Sequence, residues 1–251
     1  MEARLPDDKL FKLRHLLVKH AKSRKIKLRD LQALLGLLNF CCNVVIPGRA
    51  FLRRLTDLTR KVKKPHHRIT LSKESRCDLK AWQLFIEHFN GKHLLLEHRW
   101  VADTELHLFT DSAGSVGFAA IFQSHWFCDK WPEALRLNDI TFEELFPVVL
   151  AFEIWGELIC NRSIILHFDN MAVVHILNKQ TCKEPLVMKL VRRLVLSAMK
   201  YNILFKAGHI QGKINILPDL LSRLQVARFR ELTPNMDPTP TPVPRCLLDG
   251  N

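Results

Sequence analysis

Apolar residues recur at helical spacing through the first ninety residues of the chain. The clearest run covers 28–45, where leucines and one cysteine fall on a single helical face. The same spacing predicts helices over 5–18, 49–59 and 72–90. We therefore expect a helical domain over residues 1–100.

After residue 100 the pattern changes to short apolar or alternating runs separated by helical ones. Candidate strands cover 105–110, 117–123, 124–130, 163–168 and 203–207, and candidate helices cover 142–158, 171–178, 185–200 and 214–224. Three strands, a helix, a strand, two helices, a strand and a helix form an order typical of a mixed sheet flanked by helices. The pattern predicts an α/β (α+β) domain with a mixed five-stranded sheet over 101–232.

The last segment, 233–251, has prolines alternating with threonines and no apolar periodicity. Proline-rich polar sequence favours an extended chain without a core of its own. We predict a disordered tail.

The formal net charge of +13 is distributed unevenly. The positive excess lies in residues 1–100, whereas acidic and basic residues nearly balance in the rest of the chain. A basic domain of this kind favours a polyanion such as nucleic acid, because neutralised phosphates release counterions. The alternative is a solvated basic surface. The predicted contacts are Lys22, Arg24, Lys25, Lys27, Arg49, Arg53 and Arg54.

The chain has seven cysteines, an odd number without CxxC spacing. This fits neither a zinc site nor a disulfide framework, so we expect a reducing compartment, the cytoplasm or the nucleus. No apolar run is long enough to span a membrane, and no signal peptide opens the chain. No membrane association is expected.

Four carboxylates lie where a mixed sheet would bring them together. Asp111 ends the first strand, Glu144 opens a helix, Asp169 ends the fourth strand and Asp219 lies in the last helix. Converging carboxylates need a cation, and Mg²⁺ prefers oxygen ligands. Two such ions support hydrolysis of a phosphodiester.

Each residue taken alone has an ordinary structural explanation. Asp111 and Asp169 are the kind of residue that follows a strand or caps a helix. Glu144 would complement a helix dipole, with Glu143 beside it on another face, and His209 would be a loop histidine. The combination and its order favour the metal site.

At these positions the chain resembles the ribonuclease H domain of retroelement reverse transcriptases, most closely those of the DIRS class that use a tyrosine recombinase. The supporting strings are LFTDSAGSVGFAAIF from Leu108, ITFEELFPVVLAFEIWG from Ile140, IILHFDNMAVVHILNK from Ile164 and GHIQGKINILPDLLSR from Gly208. The resemblance implies a ribonuclease H-like fold. It also implies that the four carboxylates bind two Mg²⁺ ions, for which Mn²⁺ substitutes, and that His209 is the family's histidine.

Upstream, LPDDKLFKLRHLL and LRDLQALLGLLNFCCNVVIPGRAFLRRL resemble the helical thumb and the connection of these enzymes. No YxDD-like palm motif occurs, so polymerase activity is not expected, and the polymerase portion of a polyprotein is an expected partner. Pro218 departs from the family pattern, yet proline is accepted in a first helical turn.

The activity implied by the resemblance is hydrolysis of the RNA strand of RNA/DNA hybrids. Basic residues after Asp169 would hold the DNA strand, or else form a solvated helix face. They are Lys179, Lys183, Arg192 and Arg193, with Lys189 and Lys200 nearby. Two alternatives stay open: a non-catalytic nucleic-acid-binding fragment or domesticated remnant, and a DNA-cutting enzyme of the wider ribonuclease H-like class.

Overall fold

The computed structural model describes residues 2–60, 62–88, 93–94, 100–135, 139–209 and 216–248, with 2–3 and 93–94 described by their backbone alone. The chain divides into two compact units, residues 1–95 and 96–251. This division lies close to the change of pattern at residue 100.

The first unit is built on four helices that correspond to the four predicted ones. They are α1 (Asp7–Ala21), α2 (Leu28–Cys41), α3 (Arg53–Arg60) and α4 (Lys73–His88). Two short antiparallel ladders accompany them: β1 (Glu2–Ala3) pairs with β4 (His93–Leu94), and β2 (Lys25–Lys27) pairs with β3 (Arg68–Thr70).

The apolar stripes of these helices form the core of the first unit. Leu13, Leu17, Leu31 and Leu34 are fully buried, as the helical spacing predicts. The chain passes so close to α4 at Gly48 that a Cβ there would lie 2.2 Å from Cη2 of the buried Trp82. A glycine is therefore required at this contact.

The second unit contains both helices and sheets, which confirms the α+β class. Its strands are β5 (Val101–Ala102), β6 (Leu108–Ala113), β7 (Gly117–Phe122), β8 (His125–Lys130), β9 (Ser163–Phe168) and β10 (Leu204–His209). Its helices are α5 (Asp103–Leu106), α6 (Ile140–Trp155), α7 (Met171–Lys179), α8 (Pro185–Lys200), α9 (Ile216–Ser222), α10 (Val226–Leu232) and α11 (Arg245–Leu248).

Each of the five predicted strands has a counterpart among the described residues, but these belong to two sheets of three strands. The first strand begins at Leu108 and not at residue 105, because residues 105–106 belong to α5. The strands β6, β7 and β8 form an antiparallel meander. The strand β9 lies between β10 and β5 and is parallel to both. The additional strand β5 takes the position beside β9, so the single five-stranded sheet that we predicted is not formed within the described residues.

The side chain of Asp103 lies where the pairing between β5 and β9 ends. The chain leaves the ladder at Asp103, whose Oδ2 accepts the backbone N–H of His167 at 2.9 Å. The short helix α5 follows, and His107, with a φ of 55°, turns the chain into β6. A carboxylate occupies this N–H on the side of β9 that faces β5, whereas β10 pairs with His167 on the other side. Hydrophobic periodicity carries no signal for such a contact.

The helix α6 forms the centre of the second unit. Ten of its sixteen residues are buried, and they include four phenylalanine or tryptophan side chains. A helix that is apolar on nearly all sides is a core helix. It packs against β6, β7 and α8, so its first turn is held firmly beside the first sheet.

The tail differs from the disordered segment that we predicted. The N–H groups of Asp237 and Thr241 donate to the carbonyls of Ser124 and Trp126, at 3.0 and 2.7 Å. The indole Nε1 of Trp126 donates to the Asp237 carbonyl at 2.9 Å. Part of the tail is not extended, since it contains the helix α11, and the outer edge of β8 supplies hydrogen-bond partners that a composition-based prediction does not include.

No described helix is both long and apolar enough to cross a membrane.

The cysteines differ sharply in their environment. Burial raises the pKa of Cys41 to about 11 and that of Cys42 to about 12, whereas Cys77 and Cys246 are exposed. We expect maleimide at neutral pH to label the exposed pair rapidly and the buried pair only in denaturant, because the thiolate is the reactive form. Peptide mass spectrometry after timed labelling measures this, and equal labelling of Cys41 and Cys77 would contradict the buried placement of α2.

Candidate functional site

Three of the predicted carboxylates line one cavity of the second unit. Asp111 is the fourth residue of β6, Glu144 lies in the first half of α6, and Asp169 directly follows β9. All three line a cavity of about 430 Å³. Residues from a strand, a helix and the end of a parallel strand therefore meet at one place, as the sequence predicts.

The Asp111 carboxylate is held by a serine of α9. The hydroxyl of Ser222, which is fully buried, donates to Asp111 Oδ2 at 2.6 Å. Burial raises the pKa of Asp111, the Ser222 hydrogen bond opposes that shift, and the neighbouring carboxylates of Asp219 and Asp169 add to it. Its surroundings thus disfavour the charged form of Asp111, while Ser222 fixes the position of one oxygen.

The two carboxylate oxygens of Glu144 differ in their hydrogen bonding. Its Oε1 accepts a hydrogen bond from Asn170 Nδ2 at 3.3 Å, while Oε2 is buried and has no hydrogen-bond partner in the part of the chain that the structure describes. Burial, more than the neighbouring carboxylates Asp169 and Asp111, raises the pKa of Glu144 to about 7. A buried oxygen of this kind needs a proton or a cation.

Asn170 has a role that the sequence analysis missed. Its Oδ1 accepts the N–H of Ala172 and so caps α7, while its amide group supports Glu144. The side chain therefore links the end of β9 to the first half of α6. The Asp-Asn pair after an apolar strand was the available signal, since asparagine is a favoured N-cap residue.

Asp219 lies near Asp111 but does not line the cavity. Its Oδ1 accepts a hydrogen bond from Arg223 Nε at 2.8 Å, and its backbone carbonyl accepts the Ser222 hydroxyl at 3.0 Å. Pro218 is buried in the first turn of α9, so it does not prevent the helix. The fourth carboxylate is thus placed beside the site and paired with an arginine.

His209 is exposed at the last position of β10 and does not line the cavity. The loop that follows it, 210–215, lies outside the described residues. The predicted role of His209 stays a prediction.

Several polar residues of the cavity were not predicted from the sequence, among them Asp103 and His167. Asp103 is buried, and its Oδ1 lies 2.7 Å from the ring Nδ1 of His167. His167 shares a face of β9 with Asp169, two residues further on. That alternation was the only sequence signal for His167, and Asp103 had none. Glu143, which we placed on another face of α6 than Glu144, lines the cavity as well.

The carboxylate oxygens match the ligands that Mg²⁺ prefers, and either a proton or a cation would satisfy Glu144 Oε2, which has no partner among the described residues. Among the described residues, however, no group of three or more His, Cys, Asp or Glu side chains is arranged tightly enough to hold a metal ion. The donor chemistry fits a divalent cation, and the carboxylates line the cavity without forming a compact cluster.

Most of the predicted nucleic-acid contacts are exposed. In the first unit, Ile26 and Ile69 of the β2–β3 ladder are buried, whereas Lys25, Lys27 and Arg68 are exposed. Arg53 and Arg54 have acidic partners within the protein, Asp57 and Asp78 respectively. The exposed members of the predicted set are Lys22, Arg24, Lys25, Lys27, Arg49, Lys179 and Lys183, and Arg192 is half-buried.

Arg193 has a structural role that differs from the predicted nucleic-acid contact. Its Nε and Nη2 donate to the two carboxylate oxygens of Glu153, at 2.9 and 2.6 Å, and Nη2 also donates to the Leu247 carbonyl. Both side chains are largely buried. The spacing of forty residues between Arg193 and Glu153 hides this α8–α6 pair from sequence inspection.

Replacing Arg193 with Met is expected to lower the free energy of unfolding by about 3 kcal/mol, because Glu153 keeps a buried charge without its partner. Urea denaturation measures this loss. The double change Arg193→Met with Glu153→Leu should recover most of it, since both charges are then removed. If Arg193→Met is as stable as the wild type but binds the hybrid more weakly, the predicted contact of Arg193 with nucleic acid is supported instead.

No protein-family model and no curated protein matches the chain. Among solved structures, the chain is similar to a foamy viral protease-reverse transcriptase, dRH, in complex with double-stranded DNA. The two share 12% sequence identity at a TM-score of 0.30, over 84% of this chain and 36% of that chain. The matched region spans about a third of that chain, and a likeness of this size does not establish a family.

Proposed function

We propose that the second unit is a metal-dependent endonuclease that hydrolyses the RNA strand of RNA/DNA hybrids, as the ribonuclease H part of a retroelement reverse transcriptase. The observation that carries this proposal is the meeting of Asp111, Glu144 and Asp169 at one cavity. The four sequence motifs, in the order found in DIRS-class elements, support the same function.

Asp111, Glu144 and Asp169, with Asp219 as a fourth carboxylate, would hold two Mg²⁺ ions. When bound, these ions supply an activated water and neutralise charge on the cleaved phosphate. Mn²⁺ would substitute, because it accepts the same oxygen ligands.

The protein's own residues orient the carboxylates for this task. Ser222 fixes one oxygen of Asp111, and Asn170 fixes one oxygen of Glu144. Glu144 Oε2 is left for a cation, whose charge would offset the cost of burying the carboxylate. Lys179 and Lys183, both exposed at and beyond the end of α7, would hold the DNA strand, and His209 would assist proton transfer or product release.

The test is cleavage of an RNA/DNA hybrid labelled on the RNA strand, by the full chain with Mg²⁺. We expect the wild type to cut the hybrid and Asp169→Asn to leave it intact while still binding it. Cutting by both proteins at the same rate would indicate a contaminating nuclease. No cutting by the wild type, with Mg²⁺ or Mn²⁺, would overturn the proposal if a reference ribonuclease H cuts the same substrate.

A second candidate is a non-catalytic nucleic-acid-binding module. It is favoured by the absence of a compact metal cluster among the described residues and by the exposed cations of the β2–β3 ladder. This function predicts hybrid binding that weakens steeply with salt and becomes less salt-dependent when Lys25 and Lys27 are both changed to Ala. Metal-dependent cleavage that is lost in Asp111→Asn would exclude it.

We also propose a cellular compartment and a partner for this protein. All seven cysteines are unpaired, and two of them are exposed, which supports a reducing compartment such as the cytoplasm or nucleus. The polymerase portion of a retroelement polyprotein is the proposed partner. Co-purification of the chain with a separately expressed polymerase portion would test that association.

A further inference from the structure

The tail makes a set of contacts in the second unit that the proposed reaction does not use. They centre on Asp237. Its N–H donates to the Ser124 carbonyl at 3.0 Å, and its carbonyl accepts hydrogen bonds from Trp126 Nε1 at 2.9 Å and from Arg230 Nη1 at 2.8 Å. Its Oδ2 lies 2.5 Å from His125 Nδ1. Both backbone groups and one carboxylate oxygen of Asp237 thus have a partner.

The residue before Asp237 adds an apolar contact. Met236 packs against the cluster that contains Trp126 and Phe229, and its carbonyl accepts a hydrogen bond from Arg230 Nη1 at 3.0 Å. An apolar and an acidic side chain are therefore recognised side by side, while main-chain groups supply hydrogen bonds, as when a sheet edge binds an extended peptide. The residues that make these contacts, the tail-binding surface, are Ser124, His125, Trp126, Phe229 and Arg230.

Beyond Asp237 the tail is attached loosely. Seven of the ten residues from Pro238 to Leu247 are exposed. The stretch is attached by the Thr241 N–H, which donates to the Trp126 carbonyl at 2.7 Å, and by the Leu247 carbonyl, which accepts from Arg193 Nη2 at 2.9 Å. Because little apolar surface is buried there, the tail can detach while the core of the unit stays folded.

A short turn connects the tail to α10. The helix ends at Leu232, the Met236 N–H donates to the Thr233 carbonyl at 3.2 Å, and Pro234 and Asn235 between them are exposed. Two copies of a chain can exchange an end segment at such a turn, since the segment makes the same contacts after the exchange. With so short a connection, the tail has an effective concentration on the order of 1 mM at its own surface, so binding within one chain dominates in dilute solution.

The prolines of the tail limit what it can bind. Every second residue from 238 to 244 is a proline and has no N–H. A segment of this composition can bind a strand edge while offering few donors to a further strand. An exchanged tail therefore ends the sheet, as it does within one chain, and the expected assembly is closed.

We propose that the tail-binding surface is an exchangeable peptide-binding site, which takes the segment from Met236 to Leu247 of a second copy of this chain in place of its own. The class of ligand is an extended, proline-containing peptide in which an apolar residue precedes an aspartate. Nuclease activity is not required for this exchange, since none of the cavity-lining residues belongs to the tail-binding surface.

The test divides the two halves of the contact between two variants of the full chain. The acceptor carries Met236→Lys and Asp237→Lys, which detach its own tail and leave its tail-binding surface intact. The donor carries Arg230→Met and a fluorescent label at its amino terminus, and it keeps an intact tail. We expect sedimentation velocity to show a one-to-one complex of donor and acceptor. The donor should bind the wild type roughly tenfold more weakly or less, because that surface is occupied by its own tail.

Matched variants identify the contact. Adding Arg230→Met to the acceptor should abolish the complex, whereas adding Arg228→Met, at an exposed position of the same helix, should leave it unchanged. A donor that also carries Met236→Lys and Asp237→Lys should not bind. Amide hydrogen exchange of the tail should be faster in the acceptor than in the wild type, because the tail is released.

Three results would overturn the inference. A donor that sediments as a monomer beside the acceptor shows that the surface takes a tail only within one chain. A complex that survives the changes at Met236 and Asp237 of the donor shows that two β8 edges pair directly instead. A tail that exchanges as slowly in the acceptor as in the wild type shows that these two residues do not hold it. Each of these results leaves the nuclease function standing, and an uncut hybrid leaves the tail exchange standing.

Discussion

Replacing Glu144 with Gln is expected to abolish cleavage of the hybrid and, without divalent ions, to make the protein more stable. Loss of one charged ligand removes several kcal/mol of charge stabilisation at the cleaved phosphate, so we expect the rate to fall by about 1000-fold or more. The increase in stability follows from the environment of Glu144, where burial raises the pKa of the carboxyl to about 7 and Oε2 has no partner.

The pH dependence of this stability effect has a definite sign. In the folded protein the pKa of Glu144 lies above its ordinary value of 4.5, so the folded state holds the proton more strongly than the unfolded chain. The resulting stabilisation is complete below pH 4.5 and is lost as the pH rises through about 7. At pH 8 in EDTA, the free energy of unfolding of Glu144→Gln should exceed that of the wild type by roughly 2 kcal/mol. At pH 4 the two proteins should have similar free energies of unfolding.

Thermal denaturation in EDTA and in Mg²⁺ measures both parts of this prediction. Mg²⁺ should stabilise the wild type more than Glu144→Gln, because a ligand stabilises only the form that binds it. Glu157→Gln, at an exposed position just beyond α6, is the matched control and should change neither cleavage nor stability. If the Glu144→Gln variant cuts at the wild-type rate, Glu144 is not part of the catalytic site.

Ending the chain at Asn235 is expected to destabilise the second unit by roughly 3 kcal/mol, although the deleted segment has the composition of a linker. The truncation removes the N–H donors of Asp237 and Thr241 from the edge of β8. It also leaves the buried indole Nε1 of Trp126 without the Asp237 carbonyl, and it removes Met236 from the apolar cluster around Trp126. An unsatisfied buried donor costs more than a hydrogen bond contributes.

Urea denaturation followed by tryptophan fluorescence measures the effect of the truncation, since Trp126 lies at the affected edge. Thr239→Ala serves as the control in the full chain, because this residue is exposed. The truncated protein should also aggregate more readily, since an uncovered strand edge can pair with another chain. An unchanged urea midpoint would show that the tail is disordered in solution, as its composition suggests.

Local elements of this protein could be predicted because each depends on residues close in the chain. The leucine spacing of α2 is visible within a few residues, and the structure confirms that helix. The strand predicted over 105–110 is found as β6, which begins three residues later, at Leu108. The candidate site was predictable in part for a related reason. Asp111, Glu144 and Asp169 lie in or directly after elements whose order indicates that they meet, although Asp111 lies inside β6 and not at its end as predicted.

The sequence by itself therefore determined the main helices, five strands of the second unit, the α+β class and three carboxylates that line the cavity. Only the tertiary structure decided that β5 rather than β6 lies beside β9 and that the tail lies along the edge of β8. It also decided that Asp103 contacts the ring of His167 and that Arg193 forms an ion pair with Glu153. The partners in these contacts are 40 residues or more apart in the chain. They meet because donors and charges that are removed from water need a hydrogen-bond or ion-pair partner. Such choices depend on which groups the folded chain removes from water, and hydrophobic periodicity carries no information about them.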